Sequence, residues 1–113
     1  MQRGEIYLAT FLFGDAPGMK LRPVLLLTEP IGPAGEVLVA YISSVLPSAL
    51  LPSDIVLDPK ASEHRTTNLK TISALRLHKL ATIHAASVHR YLGKLSPETQ
   101  REISAKLKGL LHL

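Results

Sequence analysis

The sequence predicts a mainly β protein with one C-terminal helix, in which a small, strongly curved antiparallel sheet or barrel packs against the helix. Two observations support this prediction. Short apolar segments recur along most of the chain, separated by clusters of Pro and Gly, and a longer segment with helical spacing follows near the end. The 113 residues, 46% of them hydrophobic, suffice for one core but not two, so we expect one domain over residues 1–113.

Five short segments rich in apolar, β-branched or aromatic residues are predicted as strands: 5–13, 21–28, 36–44, 53–57 and 71–84. The turn cluster 14–18 and the Pro- and Gly-rich stretch 29–35 are predicted loops. The polar stretch 60–68 is predicted as a mobile loop. Residues 85–91 are predicted as one or two helical turns, which Gly93 ends.

The last element is predicted as a helix that begins after Ser96. Ser is a favoured N-cap, Pro97 suits the first helical position, and Glu98 adds negative charge to the first turn. Apolar residues then recur at helical spacing and predict a stripe against the core, made of Ile103, Leu107, Leu110 and Leu111. We expect this helix to be structural.

The composition excludes several classes of site. Cysteine is absent, which excludes disulfides, thiolate zinc sites and cysteine nucleophiles. The five His are scattered without metal-ligand spacing, so we predict no metal and no cofactor. No apolar run approaches the roughly 20 residues of a membrane helix and the N-terminus lacks a signal core, so we expect a cytoplasmic protein without membrane contact.

Charge is unevenly distributed along the chain. Residues 1–59 contain three Lys and Arg against six Asp and Glu, whereas residues 60–113 contain ten against three. A basic half favours a polyanion as partner, although a soluble cationic surface explains it equally well. Only five aromatic residues are present, without Trp, which argues against an extended platform for stacking bases.

Polar residues at strand ends and on one strand face form the candidate site. Arg22 begins the second strand before Pro23, and Ser43 and Ser44 end the third. A period of two in the late strand places Arg76 and His78 on one face, with Ala74, Leu80 and Thr82. Each of these polar residues also has an ordinary structural explanation, such as a solvated strand end or a half-buried histidine.

Metal-free cleavage of an RNA phosphodiester needs the chemistry of such residues. A base must take the proton of the 2′-hydroxyl, and a donor must protonate the leaving 5′-oxygen. Cations or hydrogen-bond donors must stabilise the charge of the transition state. An Arg supplies a bidentate cation, a Ser a hydroxyl donor, and a His exchanges protons near neutral pH.

The chain resembles the MazF/PemK family of toxins over nearly its whole length. Six segments carry the resemblance by their order and spacing: Arg3-Gly4-Glu5-Ile6-Tyr7, Lys20-Leu21-Arg22-Pro23-Val24-Leu25, Ala40-Tyr41-Ile42-Ser43-Ser44, Leu69-Lys70-Thr71-Ile72-Ser73, Arg76-Leu77-His78-Lys79-Leu80-Ala81-Thr82 and Leu92-Gly93-Lys94-Leu95-Ser96. The resemblance implies an SH3-like plasmid-toxin barrel that forms a homodimer. It also implies a metal-independent endoribonuclease that cuts single-stranded RNA at short motifs, leaves a 2′,3′-cyclic phosphate and a 5′-hydroxyl, and is masked by a cognate antitoxin.

The resemblance also implies roles for individual residues. Arg22 matches the catalytic Arg before Pro, Ser43 stands in place of the family's Thr, and Arg76 and His78 lie where some members have an Arg and an Asp. We therefore predict Arg22, Ser43 and His78 as catalytic residues. The predicted RNA-binding residues are Lys20, Ser44, Arg76 and Lys79.

This sequence departs from the family pattern at three places. Ser43 keeps the hydroxyl of Thr but not the methyl group that restricts its rotamer, His78 replaces an acid, and residues 14–19 lack the Gly-x-Glu pattern. Two alternatives stay open on the sequence. One is a toxin of the same fold that binds and inhibits DNA gyrase, and the other is a decayed member that binds RNA or antitoxin without cleavage.

Overall fold

The computed structural model describes residues 1–11 and 20–113, without the side chain of Phe11. These residues form a six-stranded sheet, all of whose pairings are antiparallel, and a C-terminal helix. The strands are β1 Glu5–Phe11, β2 Lys20–Leu26, β3 Glu36–Ser43, β4 Asp54–Leu57, β5 Ser73–His84 and β6 Val88–Lys94, the helix is α1 Pro97–Leu111, and two 3-10 helices are Ser62–Thr67 and Ala85–Ser87.

The strand order β4-β5-β3-β2-β1-β6 requires a strongly curved sheet. Strands β5 and β6 have three strands between them, which in a flat sheet would separate them by roughly 19 Å. They are joined by only the three residues Ala85–Ser87, and the steps from His84 to Val88 span at most about 14 Å. The sheet must therefore curl until β5 and β6 approach each other. The predicted mainly β fold with a curved antiparallel sheet and a C-terminal helix is confirmed.

Curvature gives the sheet two buried faces. On one face β-branched residues of β2 and β3, such as Val24 and Val39, pack with Ile83 and Val88 on either side of the β5–β6 connection. On the other face Leu25 and Leu75 pack with Ile103 of α1. Adjacent residues of each strand alternate between these two faces, so nearly continuous apolar runs are needed in β2 and β3.

Helix α1 begins as the sequence predicts, but less of its apolar stripe is buried. The Ser96 hydroxyl accepts a hydrogen bond from the Thr99 N–H at 3.2 Å, and Pro97 is the first helical residue. Ile103 is buried and Leu107 packs against the core, whereas Leu110 and Leu111 are exposed. Of the predicted stripe, therefore, Ile103 and Leu107 pack against the core, and the C-terminal end of the stripe does not.

Two local predictions differ from the structure. Residues 60–68, predicted as a loop, contain the 3-10 helix Ser62–Thr67. Of residues 85–91, predicted as one or two helical turns, Ala85–Ser87 form a 3-10 turn, whereas residues 88–91 belong to β6. Gly93 lies within β6, where an added Cβ would come within van der Waals overlap of the backbone oxygens of Thr66 and Thr67. Glycine therefore permits a close approach here instead of ending an element. The ends predicted at residues 12–13 and the loop at 14–18 lie outside the described residues.

The predicted alternation of faces in β5 was also wrong. Ala40 pairs with Leu80, but the next residue, Tyr41, pairs with Arg76, so three residues of β5 have no partner in β3. This bulge reverses the alternation. Arg76 shares a face with Tyr41, whereas Leu80 lies on the opposite face with Ala40.

Candidate functional site

The strand register brings three predicted site residues to one end of one sheet face. Val24 pairs with Tyr41, and Tyr41 pairs with Arg76. Cross-strand partners share a face, so Val24, Tyr41 and Arg76 lie on the same face of the sheet. Residues two apart in a strand also share a face, which places Arg22 beside Val24 and Ser43 beside Tyr41 on that face. The ladder between β2 and β3 ends at Val24, and Pro23 has no N–H to continue it.

Arg22 and Lys79 both lie against the ring of Tyr41. Nη1 of Arg22 donates a hydrogen bond of 3.2 Å to the Tyr41 hydroxyl, and the guanidinium lies 5.9 Å from the ring centroid. Nζ of Lys79 lies 5.6 Å from the same centroid. Within the described residues neither cation forms an ion pair. Arg22, Tyr41 and Lys79, here called the cation site, therefore place two positive charges beside one aromatic ring, and neither charge is paired with an acidic group of the described residues.

Ser43 lies on the same face, but its hydroxyl binds its own chain. Oγ donates to the Val45 carbonyl at 3.0 Å and accepts from the Val45 N–H at 3.2 Å. This local turn is a common alternative for Ser at a strand end. A phosphate at Ser43 would need a rotation about χ1, which Ser permits more readily than Thr.

Arg76 is paired with a buried carboxylate. Its Nε donates to Asp54 Oδ1 at 2.8 Å and its Nη2 to Oδ2 at 3.3 Å, while Oδ2 also accepts from the Leu51 N–H. Burial raises the pKa of Asp54, but the hydrogen bonds of Arg76 and Leu51, with the charges of Arg76 and His78, outweigh it and lower the pKa below the usual value. Asp54 is therefore ionised at neutral pH and neutralises Arg76.

His78 is held away from the cation site. Its Nδ1 lies 2.7 Å from the Ser53 hydroxyl, and it lines a cavity of about 710 Å³ together with residues of α1, among them Lys106 and Leu110. The bulge in β5 explains this placement, because it directs Lys79 towards Tyr41. The structure does not bring His78 to Arg22.

The other predicted RNA-binding residues differ in their surroundings. Lys20 is exposed at the first position of β2, and Ser44 is exposed directly after β3. Tyr41 was missed by the sequence analysis, although one signal was present. It is a hydroxyl-bearing aromatic inside an apolar strand, two residues before Ser43 and hence on the same face.

The arrangement can bind an anion through side chains alone. Two cations beside one ring repel each other, and a phosphate placed between them would relieve that repulsion. Among the described residues no three His, Asp or Glu side chains cluster as metal ligands would. The described part of the chain also contains no helix that is long and apolar enough to cross a membrane.

Comparison with known proteins identifies similar sequences and folds. The family model described as "PemK-like, MazF-like toxin of type II toxin-antitoxin system" matches residues 2–111, whereas no curated protein sequence matches significantly. The fold is similar to that of the Mycobacterium tuberculosis toxin MazF-mt6, with a TM-score of 0.73 and 22% identity over 96% of this chain and 97% of that one.

Two further solved structures share the fold. A mycobacterial endoribonuclease in complex with its cognate antitoxin has a TM-score of 0.70 and 18% identity, over 100% of this chain and 96% of that one. MazF from Deinococcus radiodurans has a TM-score of 0.69 and 18% identity, over 100% of this chain and 97% of that one. These likenesses confirm the toxin fold that the sequence resemblance predicted.

Proposed function

The chain belongs to the PemK-like, MazF-like toxin family of type II toxin–antitoxin systems, and from this premise we propose that it is a metal-independent endoribonuclease that cuts single-stranded RNA at short motifs. The observation that carries the proposal is the cation site. Arg22, half-buried at the start of β2, has a phenol as its partner and no carboxylate among the described residues. Its charge is available to a phosphate.

The proposed reaction is an internal transesterification. The 2′-oxygen attacks the phosphorus, the bond to the 5′-oxygen breaks, and the products are a 2′,3′-cyclic phosphate and a 5′-hydroxyl. One proton leaves the 2′-hydroxyl and one reaches the 5′-oxygen, so the protons balance. Arg22 would stabilise the added charge on the non-bridging oxygens, and Ser43, after rotating away from Val45, would hydrogen-bond the same phosphate.

The predicted proton-transfer role of His78 has no support in its contacts. The imidazole is bound to Ser53 beside α1, and we propose that it anchors the segment before β4. Lys79, with exposed Lys20 and Ser44, is better placed than Arg76 to bind the RNA backbone. Arg76 has two of its three nitrogens on Asp54.

The assembly proposed here follows from the family. We propose a cytoplasmic homodimer of single domains over residues 1–113, which binds single-stranded RNA and is inhibited by a cognate antitoxin protein. A mycobacterial relative of the same fold has been solved with its antitoxin, which supports the last part. The basic charge of residues 60–113 suits a negatively charged partner, whether RNA or an acidic antitoxin.

A second candidate function is binding of RNA without cleavage, and the turn at Ser43 favours it. Both hydrogen bonds of that hydroxyl are made to Val45, so a fixed turn would remove one phosphate donor. Cleavage and affinity measured side by side separate the candidates: a catalytic toxin loses cleavage in Ser43→Ala, whereas a protein that only binds RNA does not cleave in either form.

The proposal is tested by incubating the purified protein with single-stranded RNA in EDTA and determining the chemical ends of the fragments. We expect cleavage with cyclic phosphate and 5′-hydroxyl ends. A separate assay of DNA gyrase activity, with and without the purified protein, tests the alternative that the chain is a gyrase-inhibiting toxin of the same fold. Intact RNA together with inhibited gyrase would overturn the ribonuclease proposal.

A further inference from the structure

A cavity of about 590 Å³ opens at the same end of the sheet as Arg22 and Ser43, but on the other face. Pro23 follows Arg22 and therefore points to the opposite face. Its partner Leu8, and the β6 partner of Leu8, Arg90, share that face. Ser44, directly after Ser43, lines the cavity too. The cavity and the cation site thus lie on opposite faces of the sheet at the same end.

The lining has apolar walls and a cationic rim. Leu8, Pro23, Leu69 and Leu92 form the walls, while Lys70 and Arg90 stand at the rim, both exposed. Neither cation forms an ion pair with any residue that the structure describes. The lining also includes several hydrogen-bonding side chains, namely Ser44, Asn68, Thr71, Ser73 and Tyr91. A volume of this size with both apolar and polar walls can hold a small organic group that also forms hydrogen bonds, and two cations without an ion pair among the described residues favour one that carries negative charge.

The cavity wall is fixed in place by contacts between distant segments. Asn68, in the left-handed conformation with φ 54°, donates from Nδ2 to the Leu92 carbonyl at 2.8 Å. The Thr66 hydroxyl donates to the Lys94 carbonyl at 2.7 Å, and Gly93 allows the two segments to touch. Lys70 therefore follows a segment anchored on β6, so the backbone positions of Lys70 and Arg90 are fixed relative to each other, while both side chains are exposed.

We propose that this cavity, here called the β6 cavity, binds a nucleotide next to the scissile phosphate, with its base between the apolar walls and its phosphate on Arg90 and Lys70. The inference rests on the proposed ribonuclease function and adds a subsite to it. An RNA strand bound at the cation site would pass to the cavity over the Ser43–Ser44 end of β3, since Ser43 lies on the face of the cation site and Ser44 lines the cavity. The Ser44 hydroxyl, without a hydrogen-bond partner among the described residues, is placed to contact this nucleotide.

The first test measures cleavage and binding of a single-stranded oligoribonucleotide over a series of salt concentrations. Arg90→Ala with Lys70→Ala removes two phosphate contacts, so the slope of log affinity against log salt should fall by about 0.7 for each cation. That change corresponds to a roughly tenfold higher KM at 0.15 M salt, with kcat unchanged. The matched control, Lys108→Ala, removes an exposed cation of α1 and should leave both quantities as in the wild type.

A second test locates the base by abasic substitution along the same oligonucleotide. We expect one position next to the cleaved bond at which loss of the base slows the wild type. In Ser44→Phe, which fills the mouth of the cavity, the same loss should have no further effect. Thermal unfolding of each variant verifies that the fold is retained.

The outcomes separate this inference from the proposed function. If the wild type does not cleave RNA, the ribonuclease proposal fails. The salt dependence of RNA affinity, compared between the wild type and the double variant, still tests whether the β6 cavity binds RNA. If KM, affinity and salt slope are unchanged in the double variant, the inference is overturned even when Arg22→Ala abolishes cleavage. It is also overturned if the double variant keeps its RNA affinity but loses that for an acidic antitoxin peptide, since the cavity would then be a peptide site.

Discussion

Arg22 and Arg76 lie on the same face of the sheet, both beside Tyr41, and differ in what neutralises them. Arg76 pairs with Asp54, whose side chain is fully buried, through two hydrogen bonds. Arg22 donates to the Tyr41 hydroxyl and has no carboxylate partner among the described residues. The comparison teaches that the partner of an arginine, more than its position on a face, decides whether its charge is available to a ligand.

The two arginines should therefore contribute to different properties. Arg76 and Asp54 join β5 to β4 and hold the segment before β4 through the Leu51 N–H, so they should contribute to stability. Among the described residues, the Arg22 side chain makes its polar contacts with the ring and hydroxyl of Tyr41, so it should contribute little to stability and much to phosphate binding. The predictions below test this division, from the largest expected effect to the smallest.

Removing the carboxylate of Asp54 should have the largest effect. Asp54→Ala leaves Arg76 charged and mostly buried, and loss of one partner of a buried pair typically costs about 3–5 kcal/mol in the free energy of unfolding. Urea denaturation measures this change. Asp58→Ala, at a half-buried carboxylate that accepts a hydrogen bond from the Lys60 N–H, is the control and should cost about 1 kcal/mol. Equal effects of the two variants would contradict the division.

The same ion pair should make stability depend on pH in acid. The pKa of Asp54 is lower in the folded protein than its usual value of 3.8, so the folded state favours the charged carboxylate. The resulting stabilisation is fully present above pH of about 4 and is lost as pH falls through the lower folded pKa. The free energy of unfolding, measured from pH 6 downwards, should show this loss in the wild type and much less of it in Asp54→Asn. An equal slope in both proteins would show that other groups cause it.

Loss of the Tyr41 hydroxyl should loosen Arg22 without removing its charge. Tyr41→Phe keeps the ring beside both cations but removes the acceptor of the Arg22 hydrogen bond, a change typically worth about 1 kcal/mol. We expect kcat/KM for RNA cleavage to fall by roughly five- to tenfold, with stability nearly unchanged. A variant as inactive as Arg22→Ala would instead assign the hydroxyl a direct part in the reaction.

The smallest effect is expected at Lys79. Its ammonium lies beside the Tyr41 ring, a contact worth about 0.5–1 kcal/mol at an accessible position. Lys79→Ala should raise the KM for RNA a few-fold and reduce its dependence on salt, with kcat unchanged. Lys60→Ala, which removes a charge from an exposed residue after β4, is the matched control. A large fall in kcat would move Lys79 into the reacting centre.

The sequence predicted the elements whose signals are local. Ser96 and Pro97 predicted the start of α1, and the apolar runs at Val24 and Val39 predicted central strands, because capping and burial depend on residues close in the chain. Strand β6 was missed because a glycine, judged from its neighbours in the sequence, usually marks the end of an element. At position 93 a glycine is instead required because the backbone of Thr66, from a distant segment, lies too close for a side chain.

The site was predictable in its residue types more than in its geometry. Arg22 and Ser43 were identified from strand ends, and they share a face as the register requires. The bulge in β5 was not visible in the sequence, and it directs Lys79 towards Tyr41 while His78 contacts Ser53. The partner of Arg76 could not be foreseen either, since Asp54 precedes it by 22 residues and meets it only through strand pairing.

The central claim, that only Arg22 of the two arginines acts on the phosphate, is tested most directly by one comparison of cleavage rates in EDTA. Arg22→Ala is compared with Asp54→Asn/Arg76→Met, which removes both charges of the buried pair and keeps an oxygen for the Leu51 N–H. We predict that Arg22→Ala lowers kcat by about 10²–10³ while remaining as stable as the wild type to within about 1 kcal/mol. The double variant, measured where it is folded, should cleave at nearly the wild-type rate. Full activity in Arg22→Ala, or an equal loss in the folded double variant, would contradict the account.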